Sequence, residues 1–190
     1  HPLAKVIPQE PDRAAARRQL GLADGETVLA ILPGSRSSEI QYLALRLFQA
    51  AALVKAALPA IKMIVPAVPS LRASIEAAAG AAGVAHVLHV VDGQSHAVLA
   101  ACDVTLIASG TATLEAALFK RPMVVAYNMN WLSWQIMRRK RLQPWVSLPN
   151  ILCQEIVVPE LLQEQATPQA LADAVLAWLG SPAKILALQQ

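Results

Sequence analysis

At 190 residues, 55% apolar and 15% charged, the chain is long enough for one domain with a substantial core and too apolar to stay disordered. Its net charge is a modest +3. Mean hydropathy is high at +0.43, yet no stretch reaches the ~18 uninterrupted apolar residues that suggest a membrane-spanning helix. The richest stretch, 50–68, is broken by Lys55, Pro59, Lys62 and Pro66. His1-Pro2-Leu3-Ala4-Lys5 is not followed by the apolar region of a signal peptide. There is no initiator Met, so the chain is expected to be a piece of something longer. Cys102 and Cys153 lie far apart and lack metal-ligand spacing, which points to a reduced, cytoplasmic compartment.

Taken in chain order, strands alternate with helices. A short helix is predicted over 12–20, with Asp12 as its N-cap. A strand follows at 27–32, then a helix over about 38–58, where Ile40, Leu43, Leu47, Ala51 and Val54 recur at helical spacing. Lys62 to Val65 reads as a buried strand ended by Pro66. An Ala-rich helix over about 70–82 stops near Gly83, a suitable left-handed cap. His86 to Val91 is the next strand, followed by a helix over 94–101, a strand over 104–108, a helix over 111–119 and a strand over 123–127. This alternation with short connections predicts an α/β fold: a Rossmann-like parallel sheet covered by helices on both faces. Residues 131–190 read as largely helical, with helices over about 131–142, 158–165 and 168–179. Thr167 and Pro168 form the cap and first turn of the last one.

Two short polar loops stand directly after apolar strands. Pro33-Gly34-Ser35-Arg36 follows Thr27–Leu32, and Ser109-Gly110-Thr111-Ala112-Thr113-Leu114-Glu115 follows Val104–Ala108. In an open parallel sheet, ligands bind outside the carboxyl ends of the strands. Small residues there admit a ligand close to the backbone, and free N–H groups at the next helix start attract an anion. Arg36 suits an anion by its permanent charge and forked donors; its simpler reading is an ion pair with Glu39. Glu115, one turn into its helix, can accept hydrogen bonds from hydroxyls, or merely complement the helix dipole. Gly110 either touches a ligand or permits the turn.

A basic run, Arg138-Arg139-Lys140-Arg141, lies between Trp131, Trp134 and Trp145. Such a run fits nucleic acid, an anionic membrane surface or the solvated face of a helix. The tryptophans favour the membrane surface. His86, His89 and His96 show no metal-ligand spacing, and neither a metal, a cofactor nor a nucleic-acid partner is expected.

Four segments together resemble lipid-A-disaccharide synthases: Leu32–Ile40, Ala108–Glu115, Pro122–Tyr127 and Val146-Ser147-Leu148-Pro149-Asn150, with Pro159–Gln163 as a fifth. The likeness covers nearly the whole chain, residues 1–190. It corresponds to the C-terminal, nucleotide-sugar half of a two-domain glycosyltransferase of the GT-B type. The N-terminal half, which in the family carries the proposed catalytic aspartate, is absent, so no general base is assigned.

The resemblance implies transfer of sugar from UDP-2,3-diacylglucosamine to 2,3-diacylglucosamine 1-phosphate, with inversion. The products are lipid A disaccharide 1-phosphate and UDP. It further implies that Gly34, Ser35 and Arg36 hold the diphosphate, Arg36 stabilising the leaving group, and that Ser109, Gly110 and Thr111 touch phosphate or ribose. Glu115 would bind the ribose, Tyr127 would flank the uracil, and Asn150 would bind substrate or else cap a turn. Acylated substrates place the enzyme at the cytoplasmic surface of the inner membrane; a homo-oligomer is left open. Asn128 stands where the family often has a basic residue, and Cys153-Gln154 replaces a small-Gly-Arg stretch, leaving phosphate contacts there unsupported. Two competing readings are another UDP-sugar enzyme of this architecture, such as an epimerase, and a non-catalytic UDP-binding or assembly module.

Overall fold

The structure is a computed structural model, and it describes residues 11–130, 134–135 and 145–189. Among the described residues six parallel strands form one sheet in the order β3-β2-β1-β4-β5-β6. They are β1 (Val28–Leu32), β2 (Lys62–Ala67), β3 (Leu88–Asp92), β4 (Val104–Ala108), β5 (Met123–Tyr127) and β6 (Glu160–Leu162). The chain starts at the centre, runs to one edge, returns beside β1 and continues to the other edge. Because parallel crossovers are right-handed, this reversal puts the helices that connect successive strands in the two halves on opposite faces.

The helices are α1 (Arg13–Gln19), α2 (37–57), α3 (Arg72–Ala81), α4 (Ser95–Ala101), α5 (Thr111–Leu118), α6 (Leu148–Cys153), α7 (Pro168–Leu179) and α8 (Pro182–Gln189). Helix α2 opens with the turn Ser37–Glu39, widens into a π-helical stretch at Ile40–Ala44 and continues as Leu45–Ala57. Two cores result from the strand pleat, which sends alternate side chains to opposite faces. Leu29, Ile31, Leu106 and Val124 pack with Leu47, Phe48 and Val54 of α2, Ile75 of α3 and Leu171 and Val175 of α7. Val28, Ala30, Ile107 and Val125 pack on the other face with Ala16 of α1, Val98 and Leu99 of α4 and Ala116 of α5. A strand covered on both faces must be apolar throughout, and β1 is buried at all five positions.

Sequence-based expectations meet the structure closely through residue 127. Asp12 Oδ1 accepts the Ala15 N–H at 2.8 Å, and β4 and β5 fall on the expected residues. Strand β2 continues past Pro66 to Ala67. Pro66 lies beyond the last β1–β2 pair, where its missing N–H is tolerated. One expectation is overturned. The helix expected over 158–165 is strand β6 followed by a 3-10 turn at Gln163–Gln165. Its Leu161 and Leu162 pair with Ala126 and Tyr127, so an open sheet edge overrode local helical preference. The helix expected over about 131–142 lies mostly outside the described residues.

Two buried arginines clamp the C-terminal end of α4. Arg121 donates from Nε to the Leu99 carbonyl at 2.8 Å and from Nη2 to Ala100 at 2.7 Å. Arg17, 1% exposed, donates from Nε to Ala101 at 3.0 Å and from Nη1 to the carbonyls of Ala23, Asp24 and Glu26. Carbonyls ending a helix have no intrahelical donor, and these guanidinium groups supply one. With α4 held at that end, its other end presents Ser95 and His96 above the carboxyl ends of the strands.

Candidate functional site

Strand order reverses between β1 and β4, and a crevice at such a switch point is where open α/β sheets receive ligands. The loops after these two strands meet there. Gly34, Ser35 and Arg36 from the first, and Ser109, Gly110 and Thr111 from the second, line one cleft together with Glu115. Pro66 near the end of β2, Val68 just after it and Ser95 of α4 line the same cleft. Seven residues singled out from sequence are thus brought into one space by tertiary folding.

The first loop is shaped around Gly34. Its φ is +123°, and a Cβ there would lie 2.5 Å from both the Cβ and Oε2 of Glu39, so only glycine fits. Glu39 Oε2 accepts the N–H groups of Ser35 at 2.7 Å and Arg36 at 3.3 Å, and Oε1 accepts Arg36 Nη1 at 2.8 Å. The Arg36–Glu39 ion pair read from sequence is therefore formed. The Arg36 side chain remains 75% exposed.

Gly110 has another character. Its φ of 164° is extended backbone, and among the described residues nothing beyond its chain neighbours lies within 4 Å of the position a Cβ would take. Neither dihedral strain nor internal crowding demands glycine there. The turn is held by Thr113, whose Oγ1 donates to the Gly110 carbonyl at 2.7 Å. Ser109 donates from its N–H to Ala126 at 2.8 Å and from Oγ to the Val146 carbonyl at 3.2 Å.

Glu115 faces the cleft from α5 with its side chain 19% exposed, 3.6 Å from His96 Nε2. The His96 ring in turn lies 5.4 Å from Phe119. Read locally, His96 merely begins a helix. The pairing depends on α4 and α5 being neighbours on one sheet face, which no local pattern announces.

A second cleft adjoins the first and shares Arg36, Glu39 and Ser109 with it. Tyr127 lines this second cleft, with Tyr42, Asn128 and Asn130, and is not beside Glu115. Partial burial, with the Glu39 carboxylate adding to it, pushes the Tyr127 phenol above its ordinary range. Asn128 donates to the Tyr42 carbonyl at 3.0 Å, in the π-helical stretch of α2. Its own Oδ1 accepts from the Gln163 amide at 2.8 Å, in the orientation that also pairs this amide with the Met129 backbone. These contacts are structural.

Asn150 lines neither cleft. It is 0% exposed, donates to the Val158 carbonyl and to Glu160 Oε1, each at 2.9 Å, and accepts from Val157 at 2.9 Å and Val158 at 3.0 Å. Those four bonds fill its amide, which makes it a clasp for the 147–160 loop rather than a group open to a ligand. Glu160, noticed only as part of a motif, also accepts the N–H groups of Val146 at 3.0 Å and Ser147 at 2.8 Å. The loop so fixed carries Val146 to Ser109. Among the described residues no group of three or more His, Cys, Asp or Glu is arranged to hold a metal ion.

A family model described as lipid-A-disaccharide synthetase matches residues 1–185. The chain is 74% identical over 194 residues to the lipid-A-disaccharide synthase of Albidiferax ferrireducens, covering 100% of this chain and 50% of that protein. It is 51% identical over 188 residues to the lipid-A-disaccharide synthase of Thiobacillus denitrificans, covering 99% and 50%. The chain thus spans about half the length of the curated relatives it matches. Among solved structures it is similar to the C-terminal domain of a group 1 family glycosyl transferase from Francisella tularensis, with TM-score 0.65, 14% identity and coverage of 98% and 92%. It is also similar to UDP-GlcNAc 2-epimerase from Neisseria meningitidis bound to UDP-GlcNAc, with TM-score 0.61, 12% identity and coverage of 93% and 42%. At these identities the two structures establish the fold alone.

Proposed function

Because the chain belongs to the lipid-A-disaccharide synthase family, we propose that it is the donor-nucleotide half of a hexosyltransferase. The complete protein joins UDP-2,3-diacylglucosamine to 2,3-diacylglucosamine 1-phosphate, with inversion at the anomeric carbon, releasing UDP. The observation that carries this reading is the single cleft shared by Gly34, Ser35, Arg36, Ser109, Gly110, Thr111 and Glu115.

A UDP-sugar is a linear array of base, ribose, diphosphate and sugar, and the two clefts are ordered to match. The diphosphate lies between the two loops, against the backbone at Ser35 and at Gly110. The unobstructed space at Gly110 is kept for this approach. Glu115 accepts hydrogen bonds from the ribose hydroxyls. The base then extends toward Pro66, Val68 and Ser95, and the sugar into the second cleft, beside Tyr127. On this reading Tyr127 serves the sugar and not the uracil. Asn150 and Glu160 act indirectly, by fixing the loop that adjoins Ser109.

The chemistry this half supplies is stabilisation of the leaving group. As the bond from the anomeric carbon to the diphosphate oxygen breaks, negative charge builds on UDP, and preorganised donors aimed at it lower the barrier. Arg36 offers that charge a planar guanidinium with several N–H donors. The acceptor hydroxyl must lose a proton to a base outside this chain, so the 190-residue chain alone does not turn over. Acylated substrates bring the enzyme to the cytoplasmic face of the inner membrane, where the segment 131–145 is a membrane contact.

Calorimetric titration of the full-length protein with UDP, paired with assay of disaccharide 1-phosphate formation from the two acylated glucosamines, tests the reading. Saturable UDP binding together with turnover is expected. Binding without turnover would leave only a UDP-binding module, and neither would overturn the assignment.

A further inference from the structure

We propose that Glu39 is an internal competitor for the donor diphosphate: its carboxylate occupies the anion-binding face of the loop after β1 and leaves it when the donor binds. The inference rests on the UDP-sugar reading above. Two consecutive backbone N–H groups and one guanidinium form the donor set that phosphate oxygens require. Here one carboxylate satisfies all three. Oε2 takes the N–H groups of Ser35 and Arg36, and Oε1 takes Arg36 Nη1.

The contact with the loop is close. A Cβ at Gly34 would sit 2.5 Å from Oε2, so the glycine that opens the loop to a phosphate also lets the carboxylate settle on it. Glu39 lines both clefts, at the junction where the diphosphate must pass. Arg36 is the one lysine or arginine among the described residues lining either cleft, and Glu39 balances its charge. A diphosphate displaces the carboxylate one anion for another, which frees the guanidinium to pair with the leaving group. A small free anion lacks the base and ribose contacts that help a nucleotide compete, so the exchange favours nucleotide over inorganic phosphate.

Glu39 also occupies the position of a helix-capping glutamate, third after Arg36, and capping alone would account for part of the geometry. The two roles separate cleanly, because glutamine caps a helix start as glutamate does but carries no charge. The experiment is calorimetric titration of UDP and of uridine into the full-length protein and its Glu39→Gln variant. Exchanging a charged competitor for a neutral one is expected to tighten UDP binding roughly five- to tenfold and to leave uridine binding unchanged. Glu39→Ala, which lacks both charge and cap, must shift UDP affinity in the same direction, and it carries the test if Glu39→Gln does not fold.

UDP binding in the variants that is equal to or weaker than in the parent overturns the proposal and leaves the UDP site intact. An equal gain for uridine also overturns it, since the effect would then lie away from the diphosphate. If the parent binds neither UDP nor uridine, the nucleotide reading itself falls.

Discussion

Asn150 and Glu160 are direct partners: the Asn150 amide donates to Glu160 Oε1 at 2.9 Å, and that carboxylate also accepts the Ser147 N–H at 2.8 Å. The pair ties α6 to the edge strand β6 without facing either cleft. Removing the amide takes a partner from the buried N–H and carbonyl of Val158 and from the half-buried N–H of Val157. Asn150→Ala is therefore expected to lower unfolding free energy by roughly 2–4 kcal/mol, read from denaturant melts. UDP affinity of the folded variant should change little. A large loss of UDP affinity at unchanged stability would instead make Asn150 a ligand-binding group.

Arg36 gives the converse pattern. Its side chain is 75% exposed, so Arg36→Ala should leave stability within about 0.5 kcal/mol. In the full-length enzyme the same change is expected to lower kcat by roughly a hundred- to a thousandfold, the scale for losing one donor aimed at developing charge. Steady-state kinetics with saturating donor checks it. Unchanged kcat and KM would remove Arg36 from the mechanism.

Glu115 is expected to discriminate by hydroxyl. A carboxylate accepting from ribose contributes about 1.5–3 kcal/mol, so Glu115→Ala should weaken UDP binding by roughly ten- to a hundredfold. The loss should shrink for 2′-deoxy-UDP. Equal losses for both nucleotides would show that Glu115 acts elsewhere than on the 2′-hydroxyl.

The two cysteines should differ in reactivity. Burial pushes the Cys102 thiol up to about 12, and the thiolate is the reactive form, so at pH 8 the native protein keeps Cys102 as unreactive thiol. Cys153 is exposed. Alkylation followed by peptide mass spectrometry is expected to modify Cys153 in the native protein and Cys102 only after denaturation. Comparable rates at the two sites would mean that the end of α4 opens readily, despite Arg17 and Arg121.

Arg138, Arg139, Lys140 and Arg141 lie outside the described residues, and their proposed role rests on sequence. Each basic charge near an anionic bilayer contributes about 1 kcal/mol. Neutralising all four in the full-length protein should cut co-sedimentation with anionic vesicles and remove most of its salt dependence. Vesicle binding that matches the unmodified protein would take this segment out of the membrane contact.

Much of the fold was determined by local sequence alone. Buried parallel strands require uninterrupted apolar runs, and helices reveal themselves by period and caps, so β1, β4, β5 and α7 could be placed within a residue. The two loops after β1 and β4 were legible for the same reason: each sits at a sharp change from apolar strand to small polar residues. What local pattern could not decide is what depends on neighbours distant in sequence. Residues 160–162 became a strand because β5 left an edge to be paired. His96 meets Glu115 only because two helices share one face of the sheet. Asn150 reads as a polar group beside a proline, and only packing decided that all its hydrogen bonds turn inward. Even the most readable motif held something that packing settled. Glu39 stood in plain view three residues after Arg36, yet only the backbone path at Gly34 brings its carboxylate onto the N–H groups of Ser35 and Arg36. The partners of His96 and of residues 160–162 are set by where the chain returns in space, and no local sequence pattern encodes that return.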